Sequence, residues 1–245
     1  MERTVEGRVA LVTGASSGVG RATALLLAER GFAVVVTARR GERLRELVRT
    51  IEGAGGRAVM VAGDAAEEAT AVAAVGMAER EFGRLDVLVN NAGVALYKGL
   101  LETTAAEFDE VTRANVRSGF LFAREAARGM VERGEGDIVF VSSVAGLQGA
   151  AGESVYSATK FAQVGMAQAL DAELRPKGVK VSVVCPGGVK TEFAVGRGRT
   201  EESVRASPML EASEVAEAIV FACMQPANVR IPQMVVRHMG GAARR

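Results

Sequence analysis

Arg8-Val9-Ala10-Leu11-Val12-Thr13-Gly14-Ala15-Ser16-Ser17-Gly18-Val19-Gly20 is the stretch that decides how this chain folds. Its first half is an unbroken apolar run of strand length, as a parallel strand covered on both faces requires. Its second half carries glycines at 14, 18 and 20. A helical run follows from 21 to 30, and Gly31 stops it. Residues 33–37 form a second, β-branched strand. Strand, glycine-rich turn, helix and strand make the first half of a dinucleotide-binding unit. The glycines permit a tight turn, close approach of the backbone to a pyrophosphate and close helix–strand packing. The helix N-terminus adds N–H groups and the positive end of its dipole. The spacing is not the commoner G-x-G-x-x-G. A glycine-rich turn without a ligand is the alternative, and the flanking strand and helix speak against it.

Outward from this unit the alternation continues. Residues 42–51 have helical periodicity, with Leu44, Leu47, Val48 and Ile51 on one face. Strands are expected at 58–62, 86–89, 137–141, 179–184 and 234–236. Helices are expected at 66–82, 104–133, 154–174 and 213–224. A short helical piece is expected before 104, and Ser213 is expected to cap the last helix. Residues 192–210 are polar and rich in Gly and Arg, and are expected to be irregular and mobile. The pattern predicts a single doubly wound, Rossmann-like α/β domain over 1–245, with a mainly parallel sheet and helices on both faces. In such sheets ligands bind beyond the carboxyl ends of the strands. The segments 13–20, 37–40, 63–64, 90–93 and 186–191 fall there, joined by Ser142-Ser143.

Composition narrows the partners. A net charge of +1 gives no reason to expect nucleic acid or an anionic membrane. No apolar run approaches membrane-spanning length, and no charged-then-apolar leader precedes the first strand. Cys185 and Cys223 are far apart, without ligand-like neighbours, and read as reduced residues of a cytoplasmic protein. No Cys/His/Asp cluster suggests a metal. The lone His238 has no partners in the sequence. Arg113, Arg117, Arg124 and Arg128 recur at helical spacing and read as a solvated or interface face on which an acidic carrier could dock.

Tyr156-Ser157-Ala158-Thr159-Lys160 places a phenol and an ammonium one helical turn apart. A free phenol has a pKa of about 10, and a nearby positive charge favours the phenolate. A tyrosine so tuned can give a proton to a carbonyl oxygen or take one from an alcohol.

On these residues the chain resembles the short-chain dehydrogenase/reductase family, in its small single-domain branch, over about 5–240. Thr13-Gly14-x-x-x-Gly18-x-Gly20 resembles the cofactor loop, and Asn90-Asn91-Ala92-Gly93 the motif after the fourth strand. Asn115, Ser143, Tyr156 and Lys160 match the catalytic tetrad in order. The resemblance implies that Ser143 bonds the substrate oxygen, Tyr156 exchanges the proton, and Lys160 lowers the tyrosine pKa and binds the nicotinamide ribose. It implies that the main-chain carbonyl of Asn115 holds a water linking Lys160 to solvent. The cofactor contacts it implies are Gly14, Ser16, Ser17, Gly18, Val19 and Gly20, and Asp64 with Ala65 at the adenine. Asn91, Ala92, Gly93, Tyr156, Lys160, Pro186, Gly187, Val189 and Thr191 continue along the nicotinamide side.

Relatives that prefer NAD carry an acid at the end of the second strand. Here the run is Thr37-Ala38-Arg39-Arg40, and Arg39 suits a 2′-phosphate, which favours NADP(H) over NAD(H). The implied function is an NADP(H)-dependent oxidoreductase moving a hydride between nicotinamide and a carbonyl or secondary alcohol. The alternatives are a 3-oxoacyl-thioester reductase of fatty-acid synthesis and a non-catalytic nucleotide-sensing protein. Val144, Gln148, Gly149, Glu153 and 192–210 are expected to line the substrate pocket. A homodimer or homotetramer is expected. The tail Val235-Val236-Arg237-His238-Met239-Gly240-Gly241 keeps the family's glycine pair and lacks its acid.

Overall fold

The computed structural model describes Val5 and residues 7–240; Gly241 of the tail pair lies outside the described residues. β1 (Val9–Thr13) leads into α1 (Gly18–Glu29), β2 (Ala33–Ala38), α2 (Gly41–Gly53), β3 (Arg57–Ala62), α3 (Glu68–Phe82) and β4 (Val87–Asn90). The second half continues with α4 (Ala105–Thr112), a π-helical turn (Arg113–Arg117), α5 (Ser118–Arg133), β5 (Gly136–Val141) and α6 (Ser154–Leu174). It ends with β6 (Val179–Pro186), α7 (Glu201–Ala206), α8 (Ala212–Cys223) and β7 (Gln233–Val236). The seven strands form one sheet in the order β3-β2-β1-β4-β5-β6-β7. Each adjacent pair is parallel, with Val12 beside Val36 on one side and Val89 on the other.

The pleat divides the apolar residues between two cores. Val9 and Leu11 face α3, α5 and α6, where Ala74, Phe122, Met130 and Val164 bury themselves. Ala10 and Val12 face α1, α2 and α8, where Leu27, Leu44, Leu47 and Ile219 do the same. Each large side chain buried in this way contributes about 1.5–3 kcal/mol. Small residues let helices lie close to the sheet: a Cβ on Gly119 would sit 3.1 Å from the Phe140 ring. No helix among the described residues is long and apolar enough to cross a membrane.

Four local expectations change. The helix expected over 104–133 is interrupted by the π-helical turn, while the short helical piece expected before it is present as a 3-10 turn at Leu100–Glu102. The last helix is capped by Glu211, whose N–H donates to Glu214 Oε2 at 2.7 Å; Ser213 lies inside the helix. The 192–210 stretch is not irregular throughout. Thr200 caps α7 through Ser203 N at 3.1 Å, and β-bridges tie Val195 to Arg199 and Val189 to Leu210. The arginine stripe is not a free cationic face. Arg113 pairs with Asp64 and Glu67, Arg124 with Glu68 and Arg128 with Glu125, while Arg117 donates to the Ala66 carbonyl. Three of these four residues clasp the segment at the start of α3, because its acids lie opposite in the fold.

At the amino ends of the strands, three buried charges meet. Asp137 accepts from Arg8 Nη2 at 2.8 Å, and Lys180 Nζ lies 3.0 Å from its other oxygen. Lys180 also donates to the carbonyls of Gln225, Pro226 and Val229. The cluster joins the entry to β1, β5, β6 and the α8–β7 connection. Removing one member of such a buried set leaves uncompensated charge. Asp137→Ala is therefore expected to cost about 3–5 kcal/mol in urea unfolding at neutral pH. A loss below about 1 kcal/mol would show that the carbonyls alone satisfy Arg8 and Lys180.

Candidate active site

The crevice opens where the strand order reverses, between the carboxyl ends of β1 and β4. Thr13 closes its floor. The Thr13 hydroxyl accepts from the Asn91 and Ala92 N–H groups at 3.0 and 2.9 Å, and Asn91 Nδ2 donates to the Thr13 carbonyl at 2.9 Å. The two loops touch so closely that a Cβ on Gly14, at φ +67°, would meet Ala92 Cα at 2.9 Å. A Cβ on Gly20 would lie 2.5 Å from the Gly14 carbonyl. Gly14 is required by conformation as well as by backbone approach, and Gly20 by backbone approach alone.

α1 begins at Gly18, three residues earlier than the sequence pattern suggests, and its N-terminus faces the cleft. No side chain caps it and no acid stands in its first turn. Arg39 and Arg40 follow β2 beside it. Arg40 Nη2 donates to Ser16 Oγ at 2.9 Å and to Ser17 Oγ at 2.7 Å, while its Nη1 meets Glu192 at 2.5 Å. Arg43 holds the same carboxylate at 2.8 Å. Burial pushes Glu192 up, but the bonds from Arg43, Ser17 and Arg40 outweigh it and hold the carboxyl at about 2. The sequence singled out Arg39. Arg40 is the arginine that the structure seats on the glycine loop, and the adjacent basic pair was the available signal.

At the far end of the cleft, α6 presents Tyr156 and Lys160, which are 4% and 3% exposed. Lys160 Nζ lies 5.7 Å from the Tyr156 ring centroid and donates to the Val141 carbonyl at 3.0 Å and to Gln163 Oε1 at 2.9 Å. Ser143 caps a 3-10 turn, accepting from Ala145 N at 3.1 Å. Ser142 turns the other way and donates to the Lys160 carbonyl at 2.9 Å. Asn115 is fully buried. Its amide oxygen accepts from Val94 N at 2.7 Å, and its Nδ2 donates to the Val94 carbonyl and to Thr159 Oγ1, both at 2.9 Å. Its main-chain carbonyl accepts from Gln163 Nε2 at 2.9 Å, so a side chain holds the atom expected to bind water.

Burial governs the titrating groups. It pushes the Tyr156 phenol well above its ordinary value, with Tyr97 adding to the rise and Ser143 opposing it. The downward shift expected from Lys160 is not what this environment produces: desolvation sets the direction, and the cationic side chain that opposes it is Arg199. Burial lowers Lys160 to about 8, the Cys185 thiol pulling the other way, and raises Cys185 to about 11.

One cleft of about 350 Å³ joins these parts. Gly14, Ser17, Gly18, Val19 and Arg39 line it from the β1–β2 side. Asn91, Ala92, Gly93, Ser143, Tyr156, Lys160, Pro186, Gly187, Val189 and Thr191 line the rest. Ser16, Gly20, Asp64, Ala65 and Asn115 are not on its surface. Ser16 is bonded to Arg40, and Asp64 is engaged by Arg113 and Ala66 N. Burial pushes Asp64 up, but the Ala66 N–H, Arg113 and Arg39 hold it below its ordinary value. Tyr97, which sequence reasoning missed, and Phe193, from the 192–210 stretch expected to line the pocket, pack on Tyr156 with centroids at 5.6 and 6.1 Å. Gln148, Gly149 and Glu153 do not reach the lining, whereas Val144 does. The loop carrying Phe193 is tightly drawn: Ala194 has φ +68°, and a Cβ on Gly198 would sit 2.4 Å from Tyr97 Cβ.

Cationic side chains at one end, glycine backbone and a helix N-terminus in the middle, and a phenol with an ammonium at the other suit an elongated phosphate-bearing dinucleotide. The sequence model of the family described as short chain dehydrogenase matches residues 8–202. A Thermotoga maritima protein named "Uncharacterized oxidoreductase" is 39% identical over 203 residues, covering 83% of this chain and 78% of the relative. The 3-oxoacyl-acyl-carrier-protein reductase of Escherichia coli K12 is 32% identical over 221 residues, covering 88% and 89%. The crystal structure of a metagenomic short-chain oxidoreductase in complex with NADP superimposes with a TM-score of 0.82 at 33% identity, covering 95% and 97%. Motifs, sheet order, cleft and similarity agree: the chain belongs to the short-chain dehydrogenase/reductase family and is an oxidoreductase acting on CH–OH groups.

Proposed function

We propose that the protein is an NADP(H)-dependent carbonyl reductase or alcohol dehydrogenase in which Tyr156 exchanges the proton with the substrate oxygen. The observation that carries this reading is the convergence of Ser143, Tyr156 and Lys160 at one end of a cleft whose other end holds Arg39 and Arg40. A nicotinamide dinucleotide, when bound, supplies or accepts the hydride. The chain supplies the rest. Ser143 and Tyr156 present hydroxyl groups to the oxygen on which charge develops, and positioned donors there lower the barrier. The phenol, kept protonated by burial, is set to donate in the direction of carbonyl reduction. Lys160 keeps positive charge beside that phenol and has one hydrogen left for a ligand hydroxyl. Tyr97 and Phe193 exclude water from the phenol.

The similarity to the Escherichia coli reductase supports a second reading, reduction of a 3-oxoacyl thioester. The arginines of the π-helical turn and α5 do not add to it, since Arg113, Arg124 and Arg128 are already paired with acids. NADPH oxidation measured over ketones, aldehydes and 3-oxoacyl thioesters separates the two.

Tyr156→Phe removes only a hydroxyl that the fold does not need. Turnover is expected to fall by about 10²–10⁴, the span of general acid–base catalysis, with NADPH binding retained. Near wild-type turnover would exclude Tyr156 as the acid/base. Complete absence of turnover in the wild type, with NADPH bound, would favour a nucleotide-sensing protein.

Cofactor choice is tested at the paired arginines. A 2′-phosphate offers both guanidinium groups charge-assisted hydrogen bonds, and Arg40 must exchange Glu192 for it. Arg39→Ala and Arg40→Ala are each expected to weaken NADPH binding by about 1.5–3 kcal/mol, roughly tenfold to a hundredfold, and NADH binding little. A ratio of kcat/KM for NADPH over NADH that neither change moves would refute the preference.

A further inference from the structure

Gln163 lies one helical turn beyond Lys160 on the same face of α6 and is 1% exposed. Both ends of its amide are engaged inside the fold. Oε1 accepts from Lys160 Nζ at 2.9 Å, and Nε2 donates to the Asn115 main-chain carbonyl at 2.9 Å. Its surroundings set the amide's orientation. An ammonium has no acceptor and a carbonyl has no donor, so a flipped amide would oppose like groups at both ends. The π-helical turn brings the Asn115 carbonyl to that position.

We propose that Gln163 is a positioning residue for the active-site ammonium, its amide fixing the Lys160 side chain and tying it to the π-helical turn at Asn115. The proposal rests on the reading of Tyr156 and Lys160 given above and adds what holds the lysine charged and in place.

The physical case is one of neutral acceptors around a buried cation. Lys160 is almost wholly removed from water, which disfavours its charged form. Two carbonyl-type oxygens, Val141 O and Gln163 Oε1, take two of its three hydrogens and favour that form. Neither carries a charge, so neither cancels the field that the ammonium exerts on Tyr156. A glutamate at 163 would hold the lysine at least as well and cancel that field. It would also set an oxygen against the Asn115 carbonyl. The titratable groups facing Lys160 are Tyr156 on its own helix and the Cys185 thiol on β6. β5 presents the Val141 carbonyl, and the π-helical turn presents Asn115. With Gln163 shortened to an apolar side chain, the ammonium keeps only Val141 and the Asn115 carbonyl loses its donor.

The test is the titration of Lys160 itself. The chain has five lysines, so ¹⁵N-lysine labelling gives a simple spectrum, and Lys160→Arg assigns the signal. Wild type, Gln163→Met and Gln163→Glu are followed by NMR between pH 5 and 11, without cofactor. The Lys160 midpoint is expected to fall by about one to two pH units in Gln163→Met, the size of one hydrogen bond to a charged group. It is expected to rise in Gln163→Glu. A Lys160 midpoint unmoved in either folded variant overturns the proposal, since a side chain that only fills space would leave it unchanged. Should Gln163→Met fail to fold, Gln163→Glu decides alone, by the presence or absence of its upward shift. The lysine titration does not depend on turnover. Failure of the Tyr156 chemistry would appear instead as retained activity in Tyr156→Phe, with the Gln163–Lys160 link still measurable.

Discussion

A single buried amide, the side chain of Asn115, holds the cleft together. It has no water to turn to, so its donors and acceptor must be met by protein. They are met by the Val94 backbone on both edges and by Thr159 on α6. The loop after β4, the π-helical turn and the helix bearing Tyr156 and Lys160 are thereby fixed to one another. Every distance at the phenol end of the cleft inherits that restraint. The backbone of the same residue continues the network through Gln163 to Lys160. Each of these contacts lies between 2.7 and 3.0 Å, and the third Lys160 hydrogen is left toward the cleft.

The other end of the cleft is built by backbone proximity. Thr13 satisfies the N–H groups of Asn91 and Ala92, and Asn91 returns a bond to the Thr13 carbonyl. Two loops can lie this close only because Gly14 and Gly20 lack a side chain. The sheet order then leaves a crevice above them. The first turn of α1 faces that crevice with no acid to neutralise its dipole. The result is a cationic, donor-rich channel made largely from main chain, with Arg39 and Arg40 at its mouth.

Between the two ends, burial and charge work against each other. The cluster of Ala95, Tyr97, Ala145, Phe193 and Ala194 dries the phenol and raises its pKa. The same dryness lowers Lys160 to about 8, the range in which a lysine can change charge under ordinary conditions. The loop from Thr191 to Arg199 controls this dryness, because it carries Phe193 and the left-handed Ala194. It also carries Glu192, which holds Arg40 and Arg43. Covering of the phenol and occupation of the arginines therefore run through one short segment.

The doubly wound sheet, the position of the crevice and most of the residues that line it were legible in the amino-acid sequence. Those features follow from local and periodic signals: apolar runs covered on both faces, glycines before a helix, and a phenol and an ammonium one turn apart. The cap at Glu211, the π-helical turn and the seating of Arg40 depend on partners brought together by the fold. Gln163 stood at a readable spacing from Lys160, but its second partner is a carbonyl 48 positions away in the chain. The arginine stripe looked solvated because the acids that meet it lie on α3 and the segment before it. The direction of the Tyr156 shift was likewise beyond the sequence. Spacing shows that a charge is near, whereas the outcome depends on how much water remains, and only the packed loop and helices set that.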